Sequence, residues 1–108
     1  MTFEEYQELA GKTSNEKASK EDQINMAALG LCGEAGEFAE LWKKTKYHGH
    51  TFDKLEAIKE LGDILWYLSC AASAFDISLD EVARTNLGKL QARYPEGFSP
   101  EASINRKE

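Results

Sequence analysis

Two short acidic segments carry the residues most able to do chemistry. Gly33-Glu34-Ala35-Gly36-Glu37 and Glu60-Leu61-Gly62-Asp63 each hold two carboxylates three residues apart. On a helix that spacing places both acids on one face, with Cβ atoms roughly 5–6 Å apart. Counting about 100° per residue, the face of Glu34 also carries Ala27, Gly30, Leu31, Phe38 and Leu41, and the face of Glu60 carries Ile64, Tyr67 and Ala71. A carboxylate taken into apolar surroundings is costly unless something positive compensates it. No Lys or Arg falls in either stripe near these acids, so the compensating cation is expected from outside the chain. Four acids from two helices suit a hard divalent ion with oxygen ligands, Mg²⁺ or Mn²⁺ before Zn²⁺. The competing use of such acids is a solvated helix surface, the default in a chain with 19 of them. Glu56, one turn before Glu60, is read as a surface acid. A di-iron site is disfavoured, because it needs Glu-x-x-His pairs and neither histidine shares a helix with such a Glu.

The elements that must hold these acids are all helical. Thr2 with Glu5 reads as a capping box opening a first helix to about Ala10, with Phe3, Tyr6 and Leu9 apolar and Gly11 as its end. Residues 12–19 read as a mobile polar linker. Ser19 with Asp22 opens a second helix that runs to about Lys46, where Lys43, Lys44 and Lys46 complement the negative end of its dipole. Gly30, Gly33 and Gly36 each weaken it by about 0.5–1 kcal/mol relative to Ala, a cost that close approach of a helix or ligand would explain. After the loop Tyr47-His48-Gly49-His50, Thr51 or Asp53 caps a third helix to about Phe75. Its centre, Ile64 to Ala72, is apolar on every face, as is Met26 to Cys32 on the second helix, so both are expected to be buried all round. One small bundle cannot surround two such helices, which points to a homo-oligomer. Ser78 and Glu81 open a fourth helix that carries Leu79, Val82, Ala83, Leu87 and Leu90 inward until Pro95 stops it. Residues 95–108 read as an extended tail.

The totals narrow the function classes. A length of 108 residues is one domain, and its core is thin for a chain standing alone. A net charge of −6 disfavours a nucleic-acid duplex or an anionic membrane as partner. No apolar run approaches a membrane span and Met1 to Glu5 lacks a secretory pattern, so a cytoplasmic location is expected. Cys32 and Cys70 form neither a zinc motif nor a disulfide framework and read as small core residues.

Other residues admit two uses each. His48 and His50 are solvated loop residues or ligands of metal or phosphate. Lys43, Lys44 and Lys46 are helix-end charges or phosphate contacts. Asn86 lies on an apolar stripe, where it bridges helices or meets a ligand, and Arg93 falls near the same face two turns on. Trp42, Trp66, Tyr67 and Tyr94 are core residues unless one of them holds a nucleobase.

The two acidic segments, Gly33-Glu34-x-x-Glu37 and Glu60-Leu61-Gly62-Asp63, together resemble the signature of the MazG-like nucleotide pyrophosphohydrolases. The likeness extends to Lys43-Lys44, Tyr47-His48-Gly49-His50, Asp63 to Leu68, Asn86-x-x-Lys89-Leu90, Arg93-Tyr94-Pro95 and Gly97-Phe98 through Arg106. The resemblance implies an all-α bundle of four to five helices completed by homo-oligomerisation, as dimer or tetramer. It implies Mg²⁺-dependent hydrolysis of nucleoside or deoxynucleoside triphosphates to monophosphate and pyrophosphate, as nucleotide-pool housekeeping. By position Glu34, Glu37, Glu60 and Asp63 would be the catalytic Mg²⁺ ligands, with Mn²⁺ as substitute. Lys46, Asn86, Lys89, Arg93, Tyr94 and Arg106 would meet the substrate. Many relatives carry a further Glu where Gly33 stands here. Two rival readings remain: a metal-stabilised helical dimer that binds nucleotide or a protein partner without turnover, and a pyrophosphohydrolase for another phosphorylated nucleotide such as phosphoribosyl-ATP.

Overall fold

The protein is described by a computed structural model covering residues 1–106, which form five helices and no β-strand. They are α1 (Phe3–Gly11), α2 (Lys20–Tyr47), α3 (Lys54–Ala74), α4 (Leu79–Arg93) and α5 (Pro100–Ile104). Local chemistry sets their starts. The Thr2 hydroxyl accepts from the Glu5 N–H at 3.1 Å while the Glu5 carboxylate accepts from the Thr2 N–H at 3.0 Å. Ser19, Asp53 and Ser78 cap α2, α3 and α4 in the same sense, and Asp53, not Thr51, takes the α3 position. At the end of α2 the His48 and His50 N–H groups both donate to the Lys44 carbonyl, with Gly49 between them at φ 74°, a conformation that suits glycine. Trp42 and Phe52 then meet edge to face across the turn, 6.0 Å between ring centroids.

α2 and α3 form an antiparallel hairpin that carries most of the packing, and α1 lies across α3 and the start of α4. Gln7 anchors α1: its side-chain amide donates to the Ser73 hydroxyl and the Ile77 carbonyl and accepts from the Leu79 N–H. The buried apolar residues are Ala27, Ala57, Ala72, Ala74 and Leu79. That is a thin core for five helices. The radius of gyration, 16.9 Å, exceeds the value of about 13 Å for a compact chain of this length.

Within one chain the two all-apolar stretches of α2 and α3 are only partly covered: Met26 is 45% exposed, Leu29 75% and Leu68 39%. Several other expectations are corrected here. Of the apolar stripe on α4 only Leu79 is buried, whereas Val82, Leu87 and Leu90 are exposed because α4 meets α1 and α3 mainly at its start. Cys32 is exposed and Cys70 half-buried. Residues 12–19 are not a bare linker, since turn hydrogen bonds and the Trp66 side chain hold them. The extended tail contains α5, begun by Ser99 accepting from the Ala102 N–H with Pro100 in the first turn, where proline's fixed φ is tolerated.

Candidate metal and nucleotide site

The antiparallel register of α2 and α3 brings the two acidic segments together. Carboxylate oxygens of Glu34, Glu60 and Asp63 all lie within 4.8 Å of one another. Glu34 and Glu60 are half-buried and Asp63 is exposed, so the trio sits at the rim of the helix seam and not inside the core. Glu37 is exposed and stands outside the trio. It is still close enough to be the leading charge acting on Glu60. Burial first, then the charges of Glu37, Glu34, Asp63 and Glu56, hold the Glu60 carboxyl above its ordinary 4.5. Every one of those neighbours is an acid. Among the described residues no ion pair to Glu34, Glu37, Glu60 or Asp63 is seen, and a set of hard carboxylate oxygens with spare negative charge fits Mg²⁺ or Mn²⁺. Glu56 itself pairs with Lys59 at 3.4 Å, as a surface acid would.

One turn from the acids on both helices the seam narrows. Gly30, four residues before Glu34, faces Tyr67, four residues after Asp63. A Cβ added at Gly30 would overlap the Tyr67 ring. Gly30 is thus required by close approach, whereas Gly33, Gly36 and Gly62 face open space in the single chain. Gly30→Ala must displace the Tyr67 ring, an overpacking that costs about 1–3 kcal/mol. The expected result is a lowered melting temperature by circular dichroism, and an unchanged one would contradict this packing.

Beyond Tyr67 the seam opens into a cavity of about 270 Å³ between α2, α3 and the segment after α1. Met26, Ala27, Trp66, Tyr67, Ser69 and Cys70 contribute to its walls, and no Asp, Glu, Lys or Arg lines it. Trp66 and Tyr67 meet edge to face at 4.9 Å between centroids. Tyr6 of α1 stands nearby: burial, then Cys70 and Asp63, push its phenol upward from 10.0. Burial likewise raises the Cys70 thiol from 9.0.

The residues expected at the substrate lie on the end of α2, on α4 and around α5. Lys46 lies twelve residues beyond Glu34 on α2, roughly 18 Å along the helix. Asn86 and Lys89 are exposed on α4. Among the described residues, Lys46, Asn86 and Lys89 make no ion pair or hydrogen bond to the acids. Arg93 borders a separate hollow of about 280 Å³ with Ser99 and Glu101. Tyr94 packs on Phe98 at 5.5 Å, and Arg106 follows α5. Lys43 and Lys44 neighbour Glu40 at 3.0 and 4.0 Å, which makes them helix-end charges. His48 and His50 are exposed. Tyr67 was read as a core aromatic in the stripe of Glu60, and it stands between the acids and the cavity; Thr13 and Tyr6 carried no signal, because only tertiary packing brings α1 to this end of α3.

Residues 22–98, which include both acidic segments and all of α4, match the model of the MazG nucleotide pyrophosphohydrolase domain. The chain is similar to the Gene 37 protein of Mycobacterium phage L5, 36% identical over 89 residues that cover 77% of this chain and 76% of that protein. No solved structure matches. A family match over most of the chain and an all-helical fold whose paired acids converge lead to one conclusion: the chain belongs to the MazG nucleotide pyrophosphohydrolase family.

Proposed function

We propose that this protein hydrolyses nucleoside or deoxynucleoside triphosphates between the α- and β-phosphates, using Mg²⁺ held by Glu34, Glu60 and Asp63 with Glu37 as the adjoining acid. The convergence of three carboxylates within 4.8 Å carries the reading. A triphosphate brings about four negative charges to an already acidic surface, so cations must separate phosphate from carboxylate. A divalent cation held by these carboxylates would supply Lewis-acid polarisation and an acidified water there. The protein's part is to hold the acids in register through the α2–α3 seam, with the Gly30–Tyr67 contact fixing their separation. The uncharged cavity beyond Tyr67 accepts the nucleoside end, since a neutral polar lining suits a base and sugar better than a phosphate.

The working unit is a homo-oligomer. Leu55, Ile58, Leu61 and Leu68 are exposed on α3, and Ile58 and Leu61 lie on the side opposite the acids. A strip of that kind marks an interaction surface. A second copy packed there supplies the missing core, and Lys89 and Arg93 supply phosphate charge in the assembly. Incubation with a panel of NTPs, dNTPs and phosphoribosyl-ATP plus Mg²⁺ tests the reading by pyrophosphate release. Binding without product from any of them overturns it in favour of a nucleotide-binding helical dimer.

Glu60 gives the site a pH signature. Its folded-state proton affinity lies above the unfolded value, so its contribution to stability is complete below about pH 4.5 and is lost as pH rises through the folded value. At neutral pH the ionised cluster opposes folding unless a cation is bound. Mn²⁺ or Mg²⁺ at a hundredfold excess over Kd is therefore expected to stabilise the fold by about 2.7 kcal/mol at pH 7.5, seen as a raised melting temperature, and much less near pH 4.5. Glu60→Gln should lessen the pH dependence and weaken the metal shift; equal metal shifts at both pH values would contradict the assignment.

A further inference from the structure

The cover of the cavity is fastened at two points roughly one to two turns apart. Residues Gly11, Thr13, Ser14 and Asn15 close one side of the cavity. At the middle of α1, Gln7 holds α3 and the start of α4 through three hydrogen bonds, to the Ser73 hydroxyl, the Ile77 carbonyl and the Leu79 N–H. At the cavity end the side-chain bond to α3 is that of the Trp66 indole N–H to the Thr13 hydroxyl, 2.8 Å. The Thr13 hydroxyl in turn donates to the Ala10 carbonyl at 2.7 Å, so the strap reaches the last turn of α1. α1 has no fully buried residue, and its packing is on α3 and α4. Elements with little buried surface are the ones that open at low cost.

We propose that the last turn of α1 and the segment through Asn15 form a lid over the cavity, hinged after the Gln7 anchor and latched by the Trp66–Thr13 hydrogen bond. Trp66 and Thr13 are thus positioning residues: they keep the cavity closed around the nucleoside end of the substrate, an assignment that rests on the reading above. Breaking the latch leaves the acids untouched, because Glu34, Glu60 and Asp63 belong to α2 and α3. The effect falls on substrate retention and not on the chemical step.

Cys70 lines the cavity and Cys32 is exposed, and these are the two cysteines of the chain. In a Cys32→Ser background the rate at which a small thiol reagent modifies Cys70 therefore reports lid opening without any substrate. Thr13→Val keeps the shape and removes the bond. Loss of one neutral hydrogen bond changes such an equilibrium by about three- to tenfold, so Cys70 labelling should accelerate by that factor, and Trp66→Phe should do the same. With Mg²⁺ and the preferred triphosphate, Thr13→Val should raise KM by a similar factor while kcat stays within about twofold. Labelling at the parent rate in both variants overturns the latch, and a fall in kcat at unchanged KM overturns the positioning role. Should the protein turn over no triphosphate at all, the labelling rates still decide whether the lid exists.

Discussion

Asp63→Asn and Glu37→Gln should each lower Mg²⁺-dependent pyrophosphate release by on the order of 100-fold or more while leaving the helical circular dichroism unchanged. Both side chains are exposed, and both substitutions keep the side-chain shape. Surface changes of this kind usually move stability by no more than about 0.5 kcal/mol, so a lost activity would not reflect a lost fold. What changes is charge. Asp63 supplies one of the three carboxylates within 4.8 Å, and Glu37 leads the charges that act on Glu60. An amide in either place leaves fewer anionic oxygens for the metal. The two variants also divide the site: Asp63→Asn removes a member of the trio, and Glu37→Gln removes its closest supporting charge. Full activity in both would remove the basis for the site.

Leu61→Glu should dissociate the assembly. Wild-type protein is expected to scatter light as a multiple of the chain mass and to melt at a temperature that rises with protein concentration, the behaviour of a fold completed by association. The reasoning is one of surface. Five helices share a buried apolar set of four alanines and Leu79, while Leu55, Ile58, Leu61 and Leu68 on α3 and Val82, Leu87 and Leu90 on α4 are exposed. A carboxylate at Leu61 would be desolvated in any interface that covers this strip and would cost several kcal/mol there. In an isolated chain, where Leu61 is already 49% exposed, the same change is nearly neutral. A variant with the wild-type mass and melting temperature would show that the α3 strip is not the contact.

The helices were largely legible because their signals are local. Thr2 with Glu5, Ser19, Asp53 and Ser78 are caps that depend on a few neighbouring residues, and the structure uses them. The acids were legible for the same reason: three-residue spacing on a helix is enough to align them, and antiparallel pairing of α2 with α3 does the rest. Two kinds of feature were not. The degree of burial around Glu34 and Glu60 depends on what covers the seam, and periodicity alone names an apolar stripe without saying whether this chain or another fills it. That is why α4, apolar on paper, carries an exposed stripe. The Trp66–Thr13 contact spans 53 residues, and a polar segment such as 12–19 offers no period from which such a contact can be read. The short α5 was missed although Ser99-Pro100 is a usable start signal, since five residues are too few to show a helical repeat.

Addition of water across the α–β phosphoanhydride at the acid cluster can be followed by phosphorus NMR of the products formed from a purified triphosphate and Mg²⁺. Nucleoside monophosphate and pyrophosphate are expected in equal amounts, and neither from Asp63→Asn. Nucleoside diphosphate with inorganic phosphate, or no product from any nucleotide tried, would contradict it.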